Sequence, residues 1–420
     1  MSEKSSKLDV CFRDELSGSL WLDERRRFEF RYSPEWLKKA IFPLSLSLPL
    51  RPEPYPDDEA RPFFVNLLPE GEIRALIAKQ FHISEKNAHD LLEKIGGECA
   101  GAVSILPAGG KPVGHSGYRE LNRDDLEKVI SELPKRPLLA GEKGIRLSLA
   151  GAQNKLPVFI EDKRIYIAMG NSPSTHILKP PISHIEDSVC NEAFCMALAR
   201  KMQLPVANTN VWISKEDILV VKRYDREKQT NGAILRLHQE DFCQALGVLP
   251  EQKYESEGGP SLVQCFDLLK QHSIRPALDQ MALLQWVIFN FLIGNSDAHA
   301  KNLSILLTDK GPRLAPFYDL ISTQIYERLA ERFAMKIGGE NRPGYIFKRH
   351  WERFADSVSL KRNYVLSVVE DMAGRIVSAA ESIRDDYKKQ ITSTILGMIR
   401  RRATTLIKHL GNKVPAARVQ

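Results

Sequence analysis

The chain is short of several features that would place it quickly. Its 420 residues contain no run of 18 apolar residues. The nearest approach, 281–294, is shorter and carries Gln285 and Asn290, so it reads as a buried helix and not as a membrane span. The N-terminus, Met1-Ser2-Glu3-Lys4-Ser5-Ser6-Lys7, lacks the apolar core of a secretory signal, and a cytoplasmic protein without a membrane partner is expected. The six cysteines (Cys11, Cys99, Cys190, Cys195, Cys243 and Cys265) form no Cys-x-x-Cys pair, and no histidine pair has zinc spacing. Free thiols in a reducing compartment are the expectation. The Gly-Lys-Ser/Thr of a Walker loop is missing as well.

What is present is ordinary in bulk and informative in detail. Hydrophobic content of 43% and charged content of 27% suit a soluble globular chain, and the length predicts two or three domains. The net charge of +7 is unevenly placed: 388–420 holds eight Lys or Arg and no acid, so the remainder is nearly neutral. Such a stretch suits nucleic acid or an acidic partner, and equally a solvated helix face with a frayed tail.

Periodicity divides the chain. Leu8–Phe12, Phe28–Tyr32 and Leu44–Leu50 alternate as strands do. Phe63 to Phe81 reads as one helix, Leu91–Ile95 as part of the next, and Ala102–Leu106 as a strand. Pro107–Gly114 is turn-rich, and a helix is expected near 123–133. Strands are then expected at 145–149, 155–160, 164–168, 176–179, 207–213 and 218–224, with a helix at 190–202. Helices should follow at 239–246, 261–271 and 278–293, with a bundle over 359–409. The reading is an α+β chain in three parts: an N-terminal β/α subdomain (1–140), a β-rich nucleotide-binding lobe (141–235) and a helical catalytic lobe with a basic tail (236–420).

The strongest local signal is Asp297-Ala298-His299-Ala300-Lys301-Asn302, followed by Phe317-Tyr318-Asp319. Phosphoryl transfer needs one group to accept a hydroxyl proton and oxygen ligands for Mg²⁺ on the nucleotide. Protein kinases space a catalytic Asp five residues before an Asn and follow with a metal-binding Asp. Asp297 fits the first role, and Asn302 and Asp319 fit the metal. A strand-turn-strand stretch between them would return Asp319 toward Asn302. Asp and Asn also cap helices and turns, so the motif alone leaves both readings open.

Upstream, Ala150-Gly151-Ala152-Gln153-Asn154-Lys155 is small and polar enough to let backbone N–H groups approach phosphate, although a plain hairpin turn has the same composition. Lys179 ends an apolar strand, where a kinase keeps a phosphate-facing lysine. Lys222-Arg223-Tyr224 follows another strand and could offer its backbone to adenine.

Together these segments resemble the HipA family, serine/threonine kinase toxins of bacterial HipBA toxin–antitoxin modules. The resemblance runs through Pro43–Leu50, Phe63–Pro69, Ser148–Lys155, Thr175–Lys179, Arg223–Arg226, Arg236–Asp241, Tyr254–Pro260, Asp297–Asn302 and Phe317–Asp319. It implies a protein-kinase-like two-lobe fold with an extra N-terminal subdomain, using ATP and Mg²⁺. Asp297 would be the catalytic base, and Asn302 and Asp319 the metal ligands. The nucleotide would meet Ala150, Gly151, Ala152, Gln153, Lys155, Lys179, the hinge Lys222–Tyr224, His299 and Lys301. Ser148 would be the serine phosphorylated by the enzyme itself, which in this family expels the Gly-rich loop and switches activity off. The implied substrate is an aminoacyl-tRNA synthetase, glutamyl-tRNA synthetase in the best-known members, with translation arrest as the result. The implied partners are a HipB-like helix-turn-helix antitoxin and, with it, operator DNA, in a complex that holds a toxin homodimer.

This chain departs from the family pattern at Asn154 and Leu156 around the loop lysine, at Lys222 in place of an acidic hinge residue, and at Ala298 in place of a glycine. None removes a required group, but substrate choice lies on surfaces outside these motifs. Two other readings stay open: a small-molecule or lipid kinase, and a catalytically silent DNA-binding co-repressor subunit.

Overall fold

The computed structural model describes residues 7–39, 42–110, 117–170, 172–213 and 215–411. The N-terminal residues 1–6, positions 111–114 of the turn-rich segment, and Lys413 and Arg418 of the basic tail lie outside them. The fold is mixed, 41% helical and 21% strand. The chain forms two compact units: 1–180 with 213–251 and 305–308, and 181–212 with 252–304 and 309–420.

The first unit contains two sheets. In one, Phe28–Tyr32, Glu15–Leu22, Leu8–Phe12 and Val103–Pro107 lie side by side in that order, and all neighbours are antiparallel. Alternation aims Phe28, Phe30 and Tyr32 into the core, where Phe64 of the helix Asp57–Val65 meets Phe28 and Phe30. In the other, Tyr118–Leu121, Arg164–Ala168, Leu156–Glu161, His176–Lys179 and Ile218–Lys222 are consecutive antiparallel neighbours.

Four local expectations fail here. The single helix expected from Phe63 to Phe81 is two, Asp57–Val65 and Gly71–Gln80. Pro69 lacks an N–H, and Gly71 takes a left-handed φ of +52°, so the helical ladder cannot run through. Leu44–Leu50 is not a strand but a turn with one bridge, Ser45 to Leu48. Its polar positions are spent on a distant partner: the Leu46 N–H donates to Glu240 Oε1 at 2.9 Å, and a hydrogen bond joins Ser45 Oγ to Glu240 Oε2. Residues 145–149 make only one bridge, Leu147 to Glu98. The helix expected at 239–246 is a strand, His238–Asp241, then one helical turn, Phe242–Ala245. Asp241 and Gln244 close a reciprocal capping box there, each side chain accepting the other's backbone N–H at 2.9 Å.

Beneath the sheets of this unit lies a cluster of buried charge. Arg223 holds Asp225 with two bonds, at 2.9 and 2.7 Å, and reaches Glu98 at 3.3 Å. Arg226 bonds Asp225 at 2.8 Å and Glu98 at 3.0 Å, and Arg236 donates to the Val103 carbonyl and Ser104 Oγ. Burial would raise the Asp225 carboxyl, yet the Arg223 and Arg226 guanidiniums hold it well below the usual carboxylate range.

The second unit is built mainly from helices: Ser188–Lys201, Leu262–His272, Pro276–Ile293, Lys348–Ser357, Arg362–Ile383 and Gln390–His409. Pro276–Ile293 is the one described helix long and apolar enough to cross a membrane, but 61% of it is buried within the protein, as in a core helix. Part of the basic C-terminal excess is spent internally. Arg402 donates to the Phe291 carbonyl at 2.8 Å and to Gln324 Oε1, and Arg400 pairs with Glu381.

Candidate active site

The second unit's core helix ends at the loop that carries Asp297 and Asn302. Gly294 closes Pro276–Ile293 in the left-handed region, φ +69°. The chain then enters a loop fixed by its own amides and by Thr323 and Gln324. Asn290 donates to the Trp286 carbonyl and accepts from Asn295, both at 2.8 Å. The Asn295 side-chain oxygen accepts the Asp297 N–H at 3.0 Å. Thr323 holds the loop from outside: its hydroxyl accepts the Ser296 N–H at 2.7 Å and donates to the Gly294 carbonyl at 3.2 Å. Gln324 donates to Ser296 Oγ at 2.6 Å.

Within Phe291–Ala300 every residue is buried except Asp297, whose side chain is 53% exposed. A rigid, apolar-backed loop thus offers one carboxylate outward. Its Oδ1 accepts the Tyr254 hydroxyl at 2.6 Å and lies 3.7 Å from His299 Nε2. The Tyr254 and His299 rings pack edge to face, 5.2 Å apart.

Asn302 ends the loop. Its side-chain N–H donates to the Asp297 carbonyl at 2.8 Å, which fixes the amide so that its oxygen is the end left for a ligand. The strand-turn-strand expected between Asn302 and Asp319 is present as Ser304–Thr308 and Gly311–Leu314. The Tyr318 hydroxyl then donates to the Lys301 carbonyl at 2.8 Å and meets Ser304 Oγ at 2.7 Å, tying the Phe-Tyr-Asp segment to the loop. On its other side Phe317 is clamped by backbone bonds to Pro205 and Ala207. Asp319 sits at φ +54°, a conformation Asp tolerates better than most residues. The described residues hold no cluster of three or more His, Cys, Asp or Glu. The donors at Asn302 and Asp319 are oxygens only, few in number, which fits Mg²⁺, a cation that keeps much of its water and binds few protein groups.

The other expected nucleotide contacts belong to the first unit. Lys179 is buried at the end of its strand, beside Leu219 in register. Gly151 has φ +109°, and a Cβ there would come 2.7 Å from Lys155 Nζ, which instead bonds the Ala150 carbonyl across the turn. Gln153 reaches the Pro180 carbonyl at 3.4 Å, and Ala152 is exposed. At the hinge, Lys222 is exposed and Tyr224 half-buried, while the Arg223 side chain turns inward to the charge cluster and its N–H donates to the Thr175 carbonyl at 2.9 Å. Ser148 is fully buried: its hydroxyl donates to the Leu67 carbonyl at 2.7 Å, and its N–H to the Glu98 carbonyl at 2.9 Å.

Sequence reasoning passed over Tyr254, Thr323, Gln324 and the Asn290–Asn295 pair as working parts. Tyr254 lies in a noticed motif without a role, and the others act only through chain returns that spacing does not reveal.

Comparison with known proteins adds the family. Residues 147–380 match the HipA-like C-terminal domain and residues 8–106 the HipA N-terminal domain. The chain is 41% identical to the putative kinase Y4mE of Sinorhizobium fredii, covering 90% of this chain and 93% of that one. It is 32% identical to the serine/threonine-protein kinase toxin HipA of Shewanella oneidensis, covering 90% of each. It also resembles HipA in a solved complex of Shewanella oneidensis HipA, HipB and operator DNA, at a TM-score of 0.84 and 29% identity, over 96% of this chain and 98% of that one. The chain belongs to the HipA family of toxin kinases.

Proposed function

We propose that this protein is an ATP-dependent serine/threonine protein kinase that acts as the toxin of a toxin–antitoxin module. The observation that carries the reading is Asp297: the lone exposed residue of a buried, amide-locked loop, five residues before Asn302 and tied through Tyr318 to the segment of Asp319. In this reading Asp297 Oδ accepts the proton of a serine hydroxyl as its oxygen bonds the γ-phosphorus and the bond to the β-phosphate oxygen breaks. Asn302 and Asp319 would hold Mg²⁺, which when bound with ATP neutralises phosphate charge. Lys179, Lys155 and the backbone at 150–153 would hold the phosphates, with His299 and Lys301 beside the nucleotide and Lys222–Tyr224 along the base.

The substrate in this reading is an aminoacyl-tRNA synthetase, glutamyl-tRNA synthetase first, and its modification arrests translation in the cytoplasm. Ser148 is the self-phosphorylated residue. Its burial means that the loop must first leave Leu67 and Glu98, and a phosphate dianion would then keep it out. The solved relative in complex with HipB and operator DNA supports an antitoxin partner and DNA contact through that complex. In this reading the antitoxin is a helix-turn-helix protein and the complex holds a toxin homodimer.

The test is purified protein with ATP and Mg²⁺, read by mass spectrometry, beside phosphoproteomics of cells expressing wild type or Asp297→Asn. Phosphate on Ser148 and on a synthetase serine, strongly reduced in the variant, is expected. Phosphate found on an aminoglycoside or inositol lipid and on no protein would overturn it.

A further inference from the structure

The motif Tyr254-Glu255-Ser256-Glu257-Gly258-Gly259-Pro260 has no part in the chemistry above, yet the fold spends much on fixing its first residue. Gly258 turns in the left-handed region at φ +89°, and the Gly259 N–H returns to the Tyr254 carbonyl at 2.9 Å. A Cβ on Gly259 would stand 1.9 Å from the Gln252 carbonyl oxygen, so that turn closes only on glycine. Glu255 anchors the far side: its N–H donates to the Ala334 carbonyl at 3.2 Å, and its carboxylate accepts the Lys336 N–H at 2.6 Å. The outcome is a tyrosine ring packed on His299 with its hydroxyl 2.6 Å from Asp297 Oδ1.

From this geometry we infer that Tyr254 is a positioning residue for Asp297, holding one carboxylate oxygen so that the other faces the incoming substrate hydroxyl. The inference rests on the kinase reading and deepens it. A carboxylate on a single rotatable arm, half exposed, samples orientations that waste its basicity. A charge-assisted hydrogen bond from a pinned phenol removes most of that freedom. His299 cannot replace it, because its Nε2 is 3.7 Å away, beyond hydrogen-bond length.

The test is Tyr254→Phe, which keeps the ring on His299 and removes only the hydroxyl. Losing a hydrogen bond to a charged group predicts a kcat lower by about tenfold to a hundredfold, with the KM for ATP and the thermal midpoint unchanged. Combined with Asp297→Asn, Tyr254→Phe should cost nothing further, since it acts through that carboxylate. A kcat equal to or above wild type would overturn the inference, marking the hydroxyl as an obstruction, and so would equal losses in both backgrounds. A second readout needs no activity. Asp297 labelling by a water-soluble carbodiimide, measured on the peptide, should rise severalfold in Tyr254→Phe, and unchanged labelling refutes the contact. If wild type transfers no phosphate while labelling responds as expected, the function reading fails and the contact stands.

Discussion

In the proposed kinase reading the chemistry turns on Asp297, and its surroundings say what removing it should do. It is exposed, its side chain accepts from Tyr254, and its neighbours are held by other groups. Asp297→Asn should therefore leave the unfolding free energy within about 0.5 kcal/mol of wild type, read by urea unfolding. In a phosphate-transfer assay it should lower kcat by about a hundredfold to ten-thousandfold, the range for loss of a general base. Part of this candidate site is legible in the sequence, because Asp297 and Asn302 stand at the five-residue spacing of protein kinases and Asp319 follows a strand-turn-strand stretch. What orients them is not. Thr323 and Gln324 reach back across more than twenty residues to Ser296 and Gly294, and no local pattern of residue types announces such a return.

Among the elements, the turns deviate most from expectation and yield the sharpest tests. Leu44–Leu50 has the period of a strand, but Pro43 precedes it, Pro49 interrupts it and Ser45 is drawn to Glu240. Period two reports a buried face only where the polar positions meet water, and here one meets a buried carboxyl. Burial raises Glu240 to about 8, with Asp241 adding to the rise, and this outweighs the opposing bonds from Ser45 and Leu46. Below its ordinary value of 4.5 the group is protonated in folded and unfolded chains alike. From there to about pH 8 only the folded chain keeps the proton, so stability drains away as pH rises. Glu240→Gln removes that loss. Its thermal midpoint minus that of wild type should grow between pH 5 and pH 8, and a flat difference would mean Glu240 ionises normally. The Gly258-Gly259 turn supplies the other test. Gly259→Ala meets a backbone oxygen that cannot swing aside, so it should displace Tyr254 and lower kcat at least as far as loss of the Tyr254 hydroxyl does.

At the scale of the whole molecule, strand and helix content follow the sequence pattern closely, because most elements have one face in a core and repeat apolar residues accordingly. The edge strand Tyr118–Leu121 went unread. Three of its four residues are exposed, so it carries no apolar period. The buried charge cluster was equally hidden, since Arg223, Asp225, Arg226 and Arg236 look like surface residues in composition. Glu98 is its hub, accepting from Arg223, Arg226 and Ser174. Glu98→Gln would leave buried guanidiniums short of a counter-charge, a loss of about 3–5 kcal/mol measurable by urea unfolding.

Glu98 lies in the segment that matches the HipA N-terminal domain, and its arginine partners lie in the segment that matches the HipA-like C-terminal domain. The boundary between two family modules therefore does not coincide with a boundary in this unit's interior. A polypeptide severed after Gly110 would leave Glu98 on one piece and Arg223, Asp225, Arg226 and Arg236 on the other, so that neither piece keeps the cluster's charges balanced. Co-expressed, the two pieces should reassemble and co-purify. Expressed singly, the shorter should be degraded, and Glu98→Gln should abolish the reunion. The salt-bridged seam would then hold the two modules together without a covalent connection between them.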